Sequence, residues 1–377
     1  MFRAASLRAC AQAVALLLVS GTASAEREQK ETPVSLETML AHAAQHAPKL
    51  IVSRAAFMRG EAEVEAADVV LQGNTLVRAA AGPRFAGSAT GVDAQIQVSQ
   101  RIEIAGERKQ RRQTAQKLRE LTRKQLGEVS WVVHQEVHAA FHIALVQRER
   151  WDLVQKLLLS TQELRSVAER RLRAGDISQL ALRLAEAELA QARQAEVAAR
   201  QGYRTAQFRL AEVSGWPLDT LPEPRGKLDE PRRPPPTEEL LRRAAEQHPG
   251  LIARSSAVDA AEAQVRLQDR EMAPEPFVGA SYMRESEPAT SSVEHIVLGT
   301  LLLPIPFSQR NQAERARARA ELMVRRAERN AFEQQLRAQL ATAAAAVEAD
   351  ADRIAAYGTE ILPAFEGNLA LLQRCLL

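Results

Sequence analysis

The chain has 377 residues, 46% hydrophobic and 26% charged but only 4% aromatic. A single spherical core of this length draws more heavily on Phe, Tyr and Trp, whereas long helices packed through small residues tolerate few large rings. The formal charge of +3 drops to +1 once a leader carrying Arg3, Arg8 and no acidic residue is removed, leaving no bulk basic excess for nucleic acid.

That leader is residues 1–25: Arg3 and Arg8 form a basic start, an apolar stretch follows, and Ala23-Ser24-Ala25 is a small-x-small cleavage site. Cys10 precedes the apolar run and no polar tether follows it, which argues against a lipid-anchored cysteine. Only Cys375 survives cleavage, which excludes an intramolecular disulfide. No later run reaches the roughly 18 apolar residues of a transmembrane helix, so any membrane crossing must use strands.

Apolar periodicity predicts a helix over 36–71, then strands at 75–81 and 92–104. From 107 to 173 no proline interrupts the helical spacing, which predicts one helix about 100 Å long at 1.5 Å per residue. Gly175-Asp176 breaks it, Ser178 caps a second helix over 177–213, and Ser214-Gly215-Trp216-Pro217 stops that one, making a long helical hairpin. Residues 221–236 hold six prolines and read as a linker. Beyond it the first pattern returns: Met39-Leu40, Ala43-Ala44, Pro48-x-Leu50-Ile51 and Glu61-Ala62-x-Val64 are matched by Leu240-Leu241, Ala244-Ala245, Pro249-x-Leu251-Ile252 and Glu262-Ala263-x-Val265. Strands are then expected at 276–283 and 293–303. The chain reads as two repeats, 26–220 and 237–377, each helix, strand, strand, helix. Four tilted strands of about ten residues span a bilayer but cannot close, and an open edge in lipid leaves unpaired backbone groups, so several copies must complete the sheet together. Three copies give twelve strands. A soluble four-stranded sheet is the alternative, because Ala94-Gln95-Ile96-Gln97-Val98-Ser99-Gln100 alternates well but lacks aromatic girdles.

At His46-Ala47-Pro48-Lys49-Leu50 and His248-Pro249-Gly250-Leu251 the sequence resembles the paired Asn-Pro-x-Leu elements of TolC-type outer membrane factors, trimeric channels of Gram-negative bacteria. Val98-Ser99-Gln100-Arg101-Ile102-Glu103-Ile104-Ala105-Gly106-Glu107-Arg108 and Leu303-Pro304-Ile305-Pro306-Phe307-Ser308-Gln309-Arg310-Asn311-Gln312 resemble the strand-to-helix crossings of the heavy-metal branch. The resemblance covers nearly all of the mature chain. It implies a mainly α fold with a small β part, in which long hairpins form an α-barrel wall and four strands per protomer join a trimeric β-barrel. It further implies residence in the outer membrane, a homotrimer, a periplasmic adaptor and an inner-membrane pump of the RND type. The chain would then be a passive export duct for heavy-metal cations, with no cofactor and no catalysis.

Within that resemblance Gly106, Pro304 and Pro306 serve the crossings, the glycine giving conformational latitude and the prolines ending the ladder. Arg171, Leu172, Gly175, Asp176 and Ser178 match the hairpin tip that faces the adaptor, although a capped helical turn explains the same residue types. Ala181 stands where family members often carry an acidic residue, which unsettles any inherited charge at the pore entrance. Arg165, Arg170, Arg171 and Arg173 offer an acidic adaptor a docking surface, or simply complement a helix C-terminus. His134, His138 and His142 recur every four residues, a spacing that can place two imidazoles on one metal, but no fourth ligand is identifiable and a tight site would slow a conduit. His134-Gln135-Glu136-Val137-His138 has its glutamate misplaced for the hydrolytic zinc motif, and no nucleophile elbow, phosphate loop or dinucleotide fingerprint occurs. Measured by the repeat offset, a second tip glycine falls about two positions past Leu377, so a shortened second repeat lacking its return helix is expected, with little or no conductance. The competing class is a periplasmic coiled-coil scaffold or adaptor inserted in no membrane.

Overall fold

The computed structural model describes residues 30–86, 88–228, 233–287, 290 and 292–364. In chain order the elements are β1 (Lys30–Val34), α1 (Leu36–His46), α2 (Pro48–Ala67), β2 (Leu76–Ala86), β3 (Ala89–Arg101), α3 (Glu107–Ala174), α4 (Gln179–Ser214), β4 (Thr220–Pro224), α5 (Thr237–Gln247), α6 (Pro249–Arg270), β5 (Phe277–Glu287), β6 (Ser292–Leu302) and α7 (Gln312–Ala356), followed by a π-turn at Tyr357–Ile361. The leader over 1–25, Cys10 and Cys375 lie outside the described residues. The fold is mainly α with a small β part.

Packing divides the chain into two units that cut across the sequence repeats. One takes the chain up to Ala47 together with Glu136–Leu228, and the other takes Pro48–Gln135 and the chain from Asp229 onward. The single helix expected over 36–71 is two, α1 and α2. Ala47 precedes Pro48, whose ring pushes the residue before it out of the helical region, and Ala47 adopts φ −58, ψ 126. The same step recurs at His248-Pro249, where His248 takes φ −68, ψ 118 and caps α6 by accepting the Gly250 N–H at Nδ1, 3.2 Å away.

In the first unit β1 and β4 form a parallel pair, with Thr32 opposite Pro222 and Val34 opposite Pro224. The expected linker over 221–236 therefore begins as a strand, and residues 229–232 lie outside the described residues. Prolines at alternate positions are compatible with this because their missing N–H groups face away from β1. The carbonyls of Pro222 and Pro224 accept instead from Gln207 Nε2 at 3.2 Å and Arg148 Nη1 at 3.0 Å, while the Arg225 N–H donates to the Val34 carbonyl at 2.9 Å. Gln207 is buried and also contacts Glu31 and the Tyr203 hydroxyl, whose ring stacks on Trp151. Met39, Leu210 and Leu221 fill the core beneath. α4 ends on Gly215 at φ +72, and a Cβ there would sit 2.2 Å from the His46 carbonyl oxygen.

The second unit holds a four-stranded antiparallel sheet in the order β2-β3-β5-β6. Its strands have 11, 13, 11 and 11 residues, so the strand expected over 75–81 runs on through Pro83. That proline is accommodated because β2 is an edge strand. α6 packs along α7 through Ala260, Ala263 and Ala318. Arg254 pairs with Glu128 at 2.7 Å and lies 3.7 Å from the Phe332 ring centre. Near the end of the described chain the helix widens to a π-turn just before Pro363, which relieves the clash between a proline ring and the carbonyl four residues back.

Candidate functional site

The four-stranded sheet carries the functional geometry, because its two faces differ in chemistry. Register puts Val92, Ala94, Ile96 and Val98 of β3 on the same side as Val77, Ala79 and Phe85 of β2, Val278, Ala280 and Tyr282 of β5, and Val293, Val297 and Leu301 of β6. These side chains cover nothing in the protomer: Phe85 is 75% exposed, Val297 75% and Leu301 71%. Gln100, Arg284, Ser286 and His295 share this side, but the side chains are mainly apolar, and an exposed face of this kind is unfavourable in water and favourable in lipid. Phe85 and Tyr282 put aromatic rings on it.

The opposite face carries Arg78, Asp93, Gln95, Gln97, Ser99, Arg101, Ser281, Glu285 and Glu294, with Phe277, Met283, Ile296, Leu298 and Leu302 of β5 and β6 among them. Arg84 ties its upper end together by donating to Asp93 at 2.8 Å and to Glu285 at 3.0 Å, thereby linking three strands from the two halves of the sequence. β2 and β6 leave the sheet with two unpaired edges. Close approach of β3 and β5 depends on Gly279, where a Cβ would lie 2.2 Å from the Val98 carbonyl oxygen. Among the described residues no helix is long and apolar enough to cross a membrane, a statement that does not bear on strands.

Both crossings lie at the foot of this sheet. Gly106 turns β3 into α3 at φ +81, and the Glu107 carboxylate closes the turn by accepting the Ala105 N–H at 2.9 Å. Pro304 and Pro306 follow β6, after which Asn311, in the left-handed region at φ +52, starts α7 and donates to Gln268 Oε1 at 2.9 Å. At the hairpin tip Gly175, at φ +81, donates to the Leu172 carbonyl and Asp176 donates to that of Arg171, the paired bonds of a Schellman turn. Ser178 then caps α4 by accepting the Ala181 N–H at 3.3 Å. Arg171, Gly175, Asp176 and Ser178 are exposed and Leu172 is half-buried. Arg165 pairs with Glu169 at 3.4 Å.

His134 and His138 are exposed and His142 is half-buried. The His138 and His142 rings lie 4.6 Å apart, while His134 stacks on Trp131. Among the described residues no three of His, Cys, Asp and Glu converge to hold a metal ion. Sequence reasoning missed the charged ladder of Arg84, Asp93 and Glu285, whose members are too far apart in the chain to form a motif.

Residues 240–369 match the family described as outer membrane efflux protein. The cobalt-zinc-cadmium resistance protein CzcC of Cupriavidus metallidurans is 28% identical over 212 residues, 56% of this chain, and the match spans about half (49%) of that relative's length. Among solved structures, CusC superposes with a TM-score of 0.70 at 16% identity, covering 95% of this chain and 86% of that one. The outer membrane protein VceC of Vibrio cholerae gives 0.66 at 13% identity, covering 90% and 85%. The open-state MtrE outer membrane channel of Neisseria gonorrhoeae gives 0.63 at 15%, covering 90% and 78%. At these identities the structural likeness is one of fold.

Proposed function

We propose that the chain, whose residues 240–369 match the outer membrane efflux protein family, is the outer-membrane duct of an efflux system for divalent metal cations of the cobalt, zinc and cadmium kind. The observation that carries this reading is the sheet with one bare apolar face, one charged face and two open edges. Such a sheet is stable in lipid only when copies of the chain join edge to edge, β6 of one protomer against β2 of the next, turning the apolar side outward and the polar side toward a water-filled lumen. Three copies, each a tandem duplication of helix, strand, strand and helix, supply twelve strands. The helices stand in the periplasm, and the Arg171–Ser178 turn is the docking tip for a periplasmic adaptor that links the duct to an inner-membrane pump.

The duct breaks and makes no bonds. It lowers the barrier to crossing lipid by keeping a charged solute in water, and the pump supplies the free energy. A soluble scaffold is disfavoured because it would leave the Val92-to-Leu301 face in contact with water. The reading is tested by cysteine crosslinking in outer membranes, in a Cys375→Ser background, with Val77→Cys stepped against Val293→Cys, Val297→Cys and Leu301→Cys. One pairing is expected to yield covalent dimers and trimers. A purely monomeric pattern at every pairing, in protein recovered from the soluble fraction, would contradict it.

A further inference from the structure

At the foot of the sheet, where β3 passes to α3 and α6 to β5, an open cleft of about 770 Å³ is bordered by four carboxylates, Glu103, Glu107, Glu271 and Glu275, and two guanidiniums, Arg101 and Arg111. Most of this charge is already engaged. Arg101 pairs with Glu275 at 3.0 Å, Arg111 with Glu103 Oε1, and Glu107 Oε2 accepts the Ala105 N–H. Arg111 directs its other nitrogens away, to the Ala67 and Val69 carbonyls. Two oxygens are left over: Glu103 Oε2 and Glu107 Oε1 are buried without a hydrogen-bond partner. The Glu103 side chain is 10% exposed and Glu107 1%.

A carboxylate oxygen withdrawn from water with no donor facing it is unfavourable, and positive charge in the cleft removes that cost. The Glu271 carboxyl is held above the usual carboxylate range, first by desolvation, with Glu275 and Glu103 adding and Gln268 and Arg111 opposing. The donors are all hard oxygens, which suit a cation that retains water rather than a soft thiophilic site. No three acidic or imidazole groups converge among the described residues, so a stripped ion has too few ligands here and an ion attracted by these charges keeps its water shell. Arg101 and Phe277, a register pair bordering the cleft, belong to the charged face of the sheet.

We infer that this cleft is a weak binding site for a hydrated divalent cation, held by Glu103 and Glu107 with Glu271 adding long-range attraction. Its identification with exported cargo rests on the duct reading; the binding itself does not.

Equilibrium dialysis of the detergent-purified full chain against Co²⁺ tests it. The pair Glu103→Gln and Glu107→Gln preserves shape and an acceptor for the Ala105 N–H while removing both charges, and is expected to weaken Co²⁺ binding at least tenfold. Glu271→Gln should weaken it about threefold, and His138→Ala with His142→Ala should leave it unchanged. Unaltered affinity in the double glutamine variant, or binding lost with the histidines, would overturn the inference. Should circular dichroism show the double variant unfolded, unaltered affinity in Glu271→Gln overturns it instead. Cysteine crosslinking of Val77→Cys against the β6 positions in outer membranes separates the two readings. Binding without crosslinked trimers supports the site and sinks the duct, whereas trimers without binding sink the site alone.

Discussion

Two glycines with similar backbone angles carry different burdens. Gly106 at φ +81 faces open space, whereas a Cβ on Gly215 at φ +72 meets the His46 carbonyl at 2.2 Å. Gly106→Ala therefore brings left-handed strain alone, about 1–2 kcal/mol, while Gly215→Ala adds overlap with backbone that cannot rotate away, about 1–3 kcal/mol more. Thermal melting followed by circular dichroism should place Gly215→Ala well below Gly106→Ala; equal midpoints would count against the packing of α1 on the end of α4. His248 makes a pH prediction. Burial lowers its pKa from the ordinary 6.5, with Glu128 opposing and Arg254 adding to the shift. As pH falls below about 6.5 the unfolded chain takes up this proton before the folded one does, so stability declines with acid and levels off below the folded pKa. Neutral Nδ1 also accepts the Gly250 N–H, a bond that protonation removes. His248→Asn keeps a capping acceptor without titrating, and its midpoint should vary less between pH 7 and pH 5 than that of the parent.

Pairing between the two hairpins is the least tolerant feature among the elements. Gly279→Val pushes a side chain into the Val98 carbonyl, 2.2 Å from the Cβ, and should abolish heat-modifiable trimers. Gly127→Ala, on α3 outside the sheet at a site with nothing within 4 Å, should not. Trimer mobility on unheated gels reads both, and equal behaviour would remove the β3–β5 seam from the account. These elements were unequally legible in the sequence. The uninterrupted spacing before Gly175 announced α3 to within a residue or two of Glu107–Ala174, because helical periodicity is local. The alternation through Gln95, Ile96, Gln97 and Val98 marked β3 for the same reason. The break at Ala47-Pro48 was also local but lay inside a strong apolar pattern that masked it. By contrast, β4 hides in a proline-rich stretch, since only its partner β1, some 190 residues earlier in register, makes those prolines acceptable. The cleft is less visible still: Glu103 and Glu107 belong to one crossing and Glu271 and Glu275 to another, and folding alone brings them to one border.

For the whole molecule, the proposed duct rests on one amphipathic sheet. Its Val92-to-Val98 side and its two edges are uncovered in the protomer, and in the proposed duct the Asp93-to-Ser99 side faces the aqueous passage. Spin labels at successive β3 positions from Val92 to Ser99, in a Cys375→Ser background and in outer membranes, measure this directly. Collisional accessibility should alternate with period two, with 92, 94, 96 and 98 reached by oxygen from the lipid and 93, 95, 97 and 99 by a water-soluble nickel chelate. A uniform water-like response along the strand would contradict the account.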